Sequence, residues 1–191
     1  MGWLDQILIV PIVLPLVTGA VLLLFDERRH VLKAMINVAS TLALTVVALV
    51  LLHLADTPPA DANAATTGVY LLGNWAAPFG IVLVLDRLSA LMLMLTSVLA
   101  SAALVFSLAR WHRSGPHFHT LFQLLLMGLN GAFLTGDLFN LFVFFEVLLA
   151  ASYGLVLYGS GALRVKAGLH YIVINLAGAS LFLIGVSLIY G

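Results

Sequence analysis

The sequence has no cysteine among its 191 residues, and only eight basic and eight acidic ones. The first absence removes disulfides, thiolate metal sites, iron–sulfur ligation and a cysteine nucleophile. The second, joined to 63% hydrophobic residues and a mean hydropathy of +1.16, excludes an ordinary soluble domain. Because the formal charges cancel, no overall field points to nucleic acid or to an acidic partner. Gly115, Gly128, Gly131, Gly154, Gly159 and Gly161 make no nucleotide-binding loop, since none follows a soluble strand and opens a helix with a phosphate-binding lysine. No serine stands in a His and acid arrangement suited to nucleophilic catalysis, and no spacing suggests haem ligation. The expectation is an integral membrane protein with no cofactor of its own, not a self-contained enzyme.

What the sequence does have is a series of apolar runs, each able to cross a bilayer core that takes about 20 helical residues. They predict an all-α membrane protein, one domain over residues 1–191, with six transmembrane helices near 7–25, 33–54, 87–109, 118–135, 138–159 and 169–190. The first run follows Asp5 instead of a basic segment and has no convincing cleavage site, so it reads as a retained span. Pro11 and Pro15 predict a kink in it, tolerated where neighbouring groups satisfy the freed carbonyls. Only Asp137 separates the fourth and fifth runs, so Leu134 to Asp137 is expected to be a tight turn. The long connection 55–86 is Pro, Asp and Thr-rich through Thr67, then continues as YLLGNW and FGIVLVL around Ala76-Ala77-Pro78. That second part predicts a short β-hairpin between helices 2 and 3; an extended interfacial loop anchored by Trp75 is the competing reading.

Charge sets the expected orientation. Arg28, Arg29, Lys33, Arg110, Arg113, Arg164 and Lys166 all belong to the odd-numbered connections, whereas Asp56, Asp61, Asp86 and Asp137 share the even-numbered ones with only Arg87. The positive-inside rule then places the odd connections in the cytoplasm, with the hairpin and both termini extracytoplasmic.

Glu146 is the one charged residue between Asp137 and Arg164. Counting about 1.5 Å per residue from Asp137 puts it about 13 Å into a ~30 Å core, where transport sites lie. An ionised carboxylate at that depth costs about 3 kcal/mol on insertion scales, so such residues face a bundle interior and mark ion or proton paths. Removal from water disfavours its charge and a nearby cation favours it; balanced between the two, it loads and unloads a proton. The competing reading is a protonated residue that only ties helices together. Tyr153 at i+7, Asn140 at i−6 and Asn175 on the sixth span are candidate path residues, as are Lys166 and His170, four apart at the start of that span, for which positive-inside anchoring is the favoured reading. Asn130, Asn175, Ser180 and Thr135 have the chemistry to hold water or accept a hydrogen bond, but the reading as interhelical contacts is favoured for each. His112, His117 and His119 gather near Arg110 and Arg113, where they are placed to carry protons to or from the cytoplasmic surface. Their spacing also admits a metal, but without Cys, Asp or Glu beside them an interfacial basic segment fits better.

Two segments carry a family resemblance: GDLFNLFVFFE at Gly136 to Glu146 and GNWAAPFGIVLVLDRLSALM at Gly73 to Met92. From end to end the chain resembles the D subunit of the Mrp-type multisubunit monovalent cation/proton antiporters. That superfamily includes the antiporter-like membrane subunits of NADH:quinone oxidoreductase and of membrane-bound hydrogenases. The resemblance implies a bacterial inner-membrane location, other Mrp subunits as partners, and exchange of protons for Na⁺ or K⁺. It also implies that Glu146 is the family's fifth-helix glutamate, paired with a seventh-helix lysine in proton transfer. Members have about 14 helices around inverted repeats, so the sequence is expected to be an N-terminal fragment, inactive alone. A proton-pumping oxidoreductase or hydrogenase subunit and a purely structural assembly fragment are the alternatives.

Overall fold

The computed structural model describes residues 6–56, 68–72, 80–109, 111–159 and 161–190. Six helices run up and down through it: α1 Val10–Leu24, α2 His30–Asp56, α3 Arg87–Leu108, α4 Phe118–Leu134, α5 Leu138–Val156 and α6 Ala162–Tyr190. Of these, α2, α3, α5 and α6 are long and apolar enough to cross a membrane, while α1 and α4 are shorter apolar helices. Strands β1 Gly68–Leu71 and β2 Val82–Leu85 pair antiparallel, Gly68 opposite Leu85 and Leu71 opposite Val82. The segment that would close them into a hairpin, with Trp75 and Pro78, lies outside the described residues, as do the Thr67 side of the connection, Asp5, Asp61 and Arg110.

Local chemistry sets where the helices start. Gln6 and Ile7 are helical, but the ladder breaks at Leu8 and Ile9 before α1 resumes. Pro11 has no N–H to continue the ladder and stands in the first turn of α1, where that donor is not needed. Asp86 opens α3 with a reciprocal cap: Ser89 N donates to Asp86 Oδ1 at 2.6 Å, and Asp86 N donates to Ser89 Oγ at 2.9 Å. Asp137 opens α5 by accepting from the backbone N–H groups of Phe139 and Asn140 at 3.2 and 3.3 Å. The sixth helix begins at Ala162, seven residues before 169, which puts Arg164, Lys166 and His170 inside it. At 29 residues it spans about 43 Å, more than a bilayer core requires.

The two ends of the bundle differ. At one, called here the basic end, Tyr158 after α5 donates its hydroxyl to the carbonyls of His112 and Gly115 at 2.8 and 2.6 Å. Arg164 bonds the Tyr158 carbonyl and lies 5.0 Å from the centre of the Trp111 ring. Glu27 after α1 meets His117 before α4, Nδ1 to Oε1 at 3.0 Å. At the opposite end, called the sheet end, Gly136 N donates to Val82 O at 2.8 Å, so the tight α4–α5 turn is held against β2. Tyr190 Oη donates to Asp137 Oδ1 at 2.6 Å, tying the end of α6 to the start of α5. An apolar cluster that includes Leu8, Leu51, Leu83, Leu85, Leu93 and Leu134 fills this end. At the basic end Leu104, Phe118, Phe122, Leu126 and Tyr158 form a second cluster.

The fourth helix is the hub, packed against α1, α2, α3 and α5. It meets α5 closely because Gly128 and Gly131 lack side chains: a Cβ at Gly128 would stand 2.6 Å from Leu148 N, and one at Gly131 would enter the Phe144 ring. Among the described residues the sixth helix packs mainly on α5 and leaves Leu176, Leu181, Ile184 and Leu188 more than half exposed.

Candidate functional site

Glu146 lies on α5 opposite the middle of α6. It opens on a cleft of about 370 Å³ lined by Phe142, Phe145, Glu146, Leu149, Ile174, Asn175, Gly178, Ala179 and Phe182. Phe142 and Phe182 stack at 6.3 Å on the sheet-end side, and no lysine or arginine lines the space. Glu146 Oε1 is buried and has no hydrogen-bond partner among the described residues. A buried polar atom left without a partner is costly, and an acidic one in an apolar cleft marks a place where a proton, a water or an incoming cation has something to bind.

The structure gathers some of the expected path residues and separates others. Asn175 shares the cleft with Glu146, although its Nδ2 donates to Tyr171 O at 2.8 Å within its own helix. Tyr153 lies further along the same α5–α6 seam, its ring edge-on to Tyr171 at 5.7 Å, with Ser152 Oγ 3.1 Å from the Tyr171 hydroxyl. Asn140 is turned to the helix start instead: its Nδ2 donates to Asp137 Oδ2 at 2.9 Å, completing the cap. Lys166 and His170 are exposed on the first turns of α6, His170 Nδ1 being 2.8 Å from Lys166 O. Asn130 makes an interhelical contact, donating to Pro11 O at 2.9 Å. That carbonyl is the one Pro15, lacking an N–H, leaves without its usual partner.

A second polar region escapes a reading centred on charge. Among α1, α2 and α4, Asn37 Nδ2 lies 2.8 Å from His119 Nδ1, Gln123 Nε2 donates to Asn37 Oδ1 at 2.6 Å, and Ser40 Oγ donates to Gln123 Oε1 at 3.4 Å. Thr18 Oγ1 is 3.0 Å from Ser40 Oγ, and Thr41 Oγ1 donates to Asn37 O at 2.9 Å. Asn37 and Gln123 are completely buried. At the basic end of this string Lys33, only 3% exposed, pairs with Glu27 at 2.6 Å. Burial raises the Glu27 carboxyl, but the Lys33 ammonium and the His117 backbone outweigh it and hold the group below its ordinary value. The sequence signal is the spacing: Lys33, Asn37, Thr41 and Thr45 recur every fourth residue, as do His119 and Gln123. Beyond the string, Thr96, Ser97 and Asn130 line a cavity of about 10 Å³, room for a single water. The three histidines of the third connection do not converge. His112 and His119 are buried with ring centres 5.5 Å apart, and His117 faces Glu27.

Comparison with known proteins agrees with this architecture. The family described as NADH:quinone oxidoreductase/Mrp antiporter, TM, matches residues 135–191, the part that holds α5 and α6. The D subunit of a probable K(+)/H(+) antiporter of Rhizobium meliloti (strain 1021) is 66% identical over 189 residues, which cover 99% of this chain and 35% of that protein. The D subunit of an Na(+)/H(+) antiporter of Alkalihalophilus pseudofirmus is 41% identical over 98% of this chain and 37% of its own. Among solved structures, the Mrp complex from Dietzia sp. DQ12-45-1b superimposes on all of this chain and 35% of its own with a TM-score of 0.89 at 35% identity. A chain of the membrane-bound sulfane sulfur reductase, an archaeal respiratory membrane complex, does so over 97% and 37% with a TM-score of 0.82 at 30% identity. The chain therefore spans about a third of the length of these relatives, and it belongs to the NADH:quinone oxidoreductase/Mrp antiporter family of membrane proteins, matching the N-terminal part of the antiporter D subunits.

Proposed function

We propose that the chain is part of a Na⁺ or K⁺/H⁺ antiporter complex of a bacterial inner membrane, in which Glu146 carries the proton at mid-depth. The observation behind this reading is the buried, unpartnered Oε1 of Glu146 in a cleft whose walls hold no countercharge. A carboxylate that serves only to tie helices would have a hydrogen-bond partner on one of them. The relatives named as antiporter D subunits supply the ions exchanged and the other subunits as partners. In this reading all six helices span, the short α4 crossing where four other helices surround it. The basic end is cytoplasmic, and the sheet end, with both termini, is extracytoplasmic. Asn175 and Tyr153 line the way along the α5–α6 seam, and Lys166 with His170 stands at its cytoplasmic approach. Asn140 serves the cap of α5 instead.

Because the described residues offer Glu146 no cation, its countercharge comes from outside them, and exchange is a property of the assembled complex. Glu146→Gln keeps the size and cannot carry the charge. In the complex reconstituted in vesicles it is expected to abolish pH-gradient-driven Na⁺ or K⁺ exchange while leaving assembly intact. Exchange at the wild-type rate would overturn the reading. A second reading, a proton-pumping subunit of a respiratory complex using the same glutamate, is favoured by the likeness to the archaeal respiratory complex. Copurification with flavin or iron–sulfur subunits would select it over the antiporter.

A further inference from the structure

The buried string between α2 and α4 has a definite polarity. Asn37 Nδ2 carries only hydrogens, so His119 Nδ1 accepts at 2.8 Å, and the single proton of the neutral ring sits on Nε2. Gln123 then donates to Asn37, and Ser40 donates to Gln123. Every bond in the series points toward the imidazole. His119 Nε2 is itself buried, on a residue 4% exposed, and meets no partner among the described residues. A tie between helices has no need of an imidazole at its head, least of all one that leaves its remaining donor without a partner.

The neighbouring ring shows the contrast. His112 Nδ1 lies 3.3 Å from Ser107 O and donates to it, while Nε2 accepts from Arg113 Nε at 3.3 Å. Both of its nitrogens are committed, and neither can change role without losing a bond. At His119 the partner is a carboxamide, which offers a donor or an acceptor according to how it is turned.

We propose that His119 is a second proton-binding residue, and that adding a proton to its Nδ1 reverses the hydrogen-bond string from Asn37 through Gln123 to Ser40. The proton comes from solvent at the basic end, where Glu27 and His117 stand, and hydronium is left as water. One N–H bond forms at Nδ1 and no covalent bond in the protein breaks. Nδ1 then donates, Asn37 turns its carboxamide to accept with Oδ1, and its Nδ2 faces Gln123. Gln123 turns in the same way, accepts with Oε1 and donates from Nε2 to Ser40. The number of bonds within the string is unchanged, so it has two arrangements that differ in direction and in one charge. The charged and titratable groups around His119 are Lys33 and His30 on α2, Glu27 in the α1–α2 connection and His112 before α4. Through Ser40 and Thr18 the reversal reaches α1, so protonation of His119 is felt across three helices. This site shares no residue with the Glu146 cleft and stands or falls separately from it.

The test is a pH titration of the chain in lipid nanodiscs, with ¹⁵N-labelled histidine, asparagine and glutamine followed by NMR. Comparison with His119→Gln assigns the ring, and Asn37→Leu and Gln123→Leu assign the amides. At neutral pH the His119 signal should be that of a ring protonated on Nε2 alone. On acidification Nδ1 should gain a proton, with the Asn37 and Gln123 side-chain signals changing over the same pH interval. A His119 ring that keeps one proton down to the lowest pH at which the fold survives would overturn the proposal. So would a ring that gains the second proton while both amides stay unchanged.

Discussion

The two polar regions of this bundle are built in opposite ways. Between α1, α2 and α4, side chains from three helices meet one another, and the completely buried Asn37 and Gln123 each hold partners on another helix. Between α5 and α6, Glu146 meets aromatic and aliphatic walls, and one of its carboxyl oxygens has no partner. Burial alone does not mark a working site in such a protein. The first region spends most of its polar atoms on one another and leaves only a donor of its imidazole, His119 Nε2, without a partner among the described residues, while the second leaves a carboxyl oxygen with no polar neighbour to hold it. The packing follows the same division, since among the described residues α4 is enclosed by four helices and α6 leans mainly on one.

Pushing α4 off α5 would break this contrast most severely. Gly128→Val places a side chain against the backbone of Leu148, which cannot move aside as a flexible side chain would. Overpacking of this kind costs about 1–3 kcal/mol or more, so thermal unfolding of the chain in detergent should begin several degrees lower. An unchanged unfolding temperature would mean that the close α4–α5 approach is not needed.

A smaller effect is expected from Gln123→Leu, which strips Asn37 Oδ1 of its closer donor and leaves it only the Thr41 hydroxyl at 3.5 Å. Leaving a buried polar group unsatisfied costs about 1–3 kcal/mol in water-soluble proteins, and interhelical bonds in membranes average nearer 0.6. Adding Asn37→Leu should recover part of the loss, because two apolar partners are better than one stranded amide. If the double variant is as unstable as the sum of the singles, the pair is not acting as a unit.

The smallest effect is a pH dependence at the sheet end. The backbone N–H and the hydroxyl of Ser89 hold the Asp86 carboxyl below its ordinary value of 3.8, against a weaker opposing effect of burial. A group whose folded value is depressed stabilises the fold above its unfolded value and loses that contribution as pH falls through the folded one. Asp86→Asn keeps a competent cap without the charge. Between neutral pH and about pH 4 the wild type should be slightly the more stable, and the difference should shrink on further acidification. A difference that grows on acidification would reverse that sign.

Much of this was legible in the sequence, because the bilayer makes demands that composition must meet. The apolar runs, the clustering of Arg28, Arg29, Arg113, Arg164 and Lys166, and the isolation of Glu146 all follow from the cost of charge in hydrocarbon. The buried string was not legible, for a physical reason. Asn37 and His119 are 82 residues apart, and single polar residues in apolar helices look alike until the helix that faces them is known. Lys33 reads as an interfacial anchor, yet it is buried because Glu27 reaches it from across the connection. Asn140 reads as a neighbour of Glu146 by helical spacing, yet the unsatisfied start of α5 gave its amide a nearer partner in Asp137. The early start of α6 was hidden by Arg164 and Lys166, which look like loop residues and are equally at home on the first turns of a helix longer than a bilayer core requires.

Whether Glu146 gains and loses a proton in the working complex is the question on which the proposed function depends. Difference infrared spectroscopy of that complex, stepped in pH with and without the transported cation, observes the carboxyl group itself. The expected result is a protonated-carboxyl band that appears on acidification, is removed by the cation, and is missing in Glu146→Gln. A carboxyl band that responds to neither, or one that persists in Glu146→Gln, would contradict it.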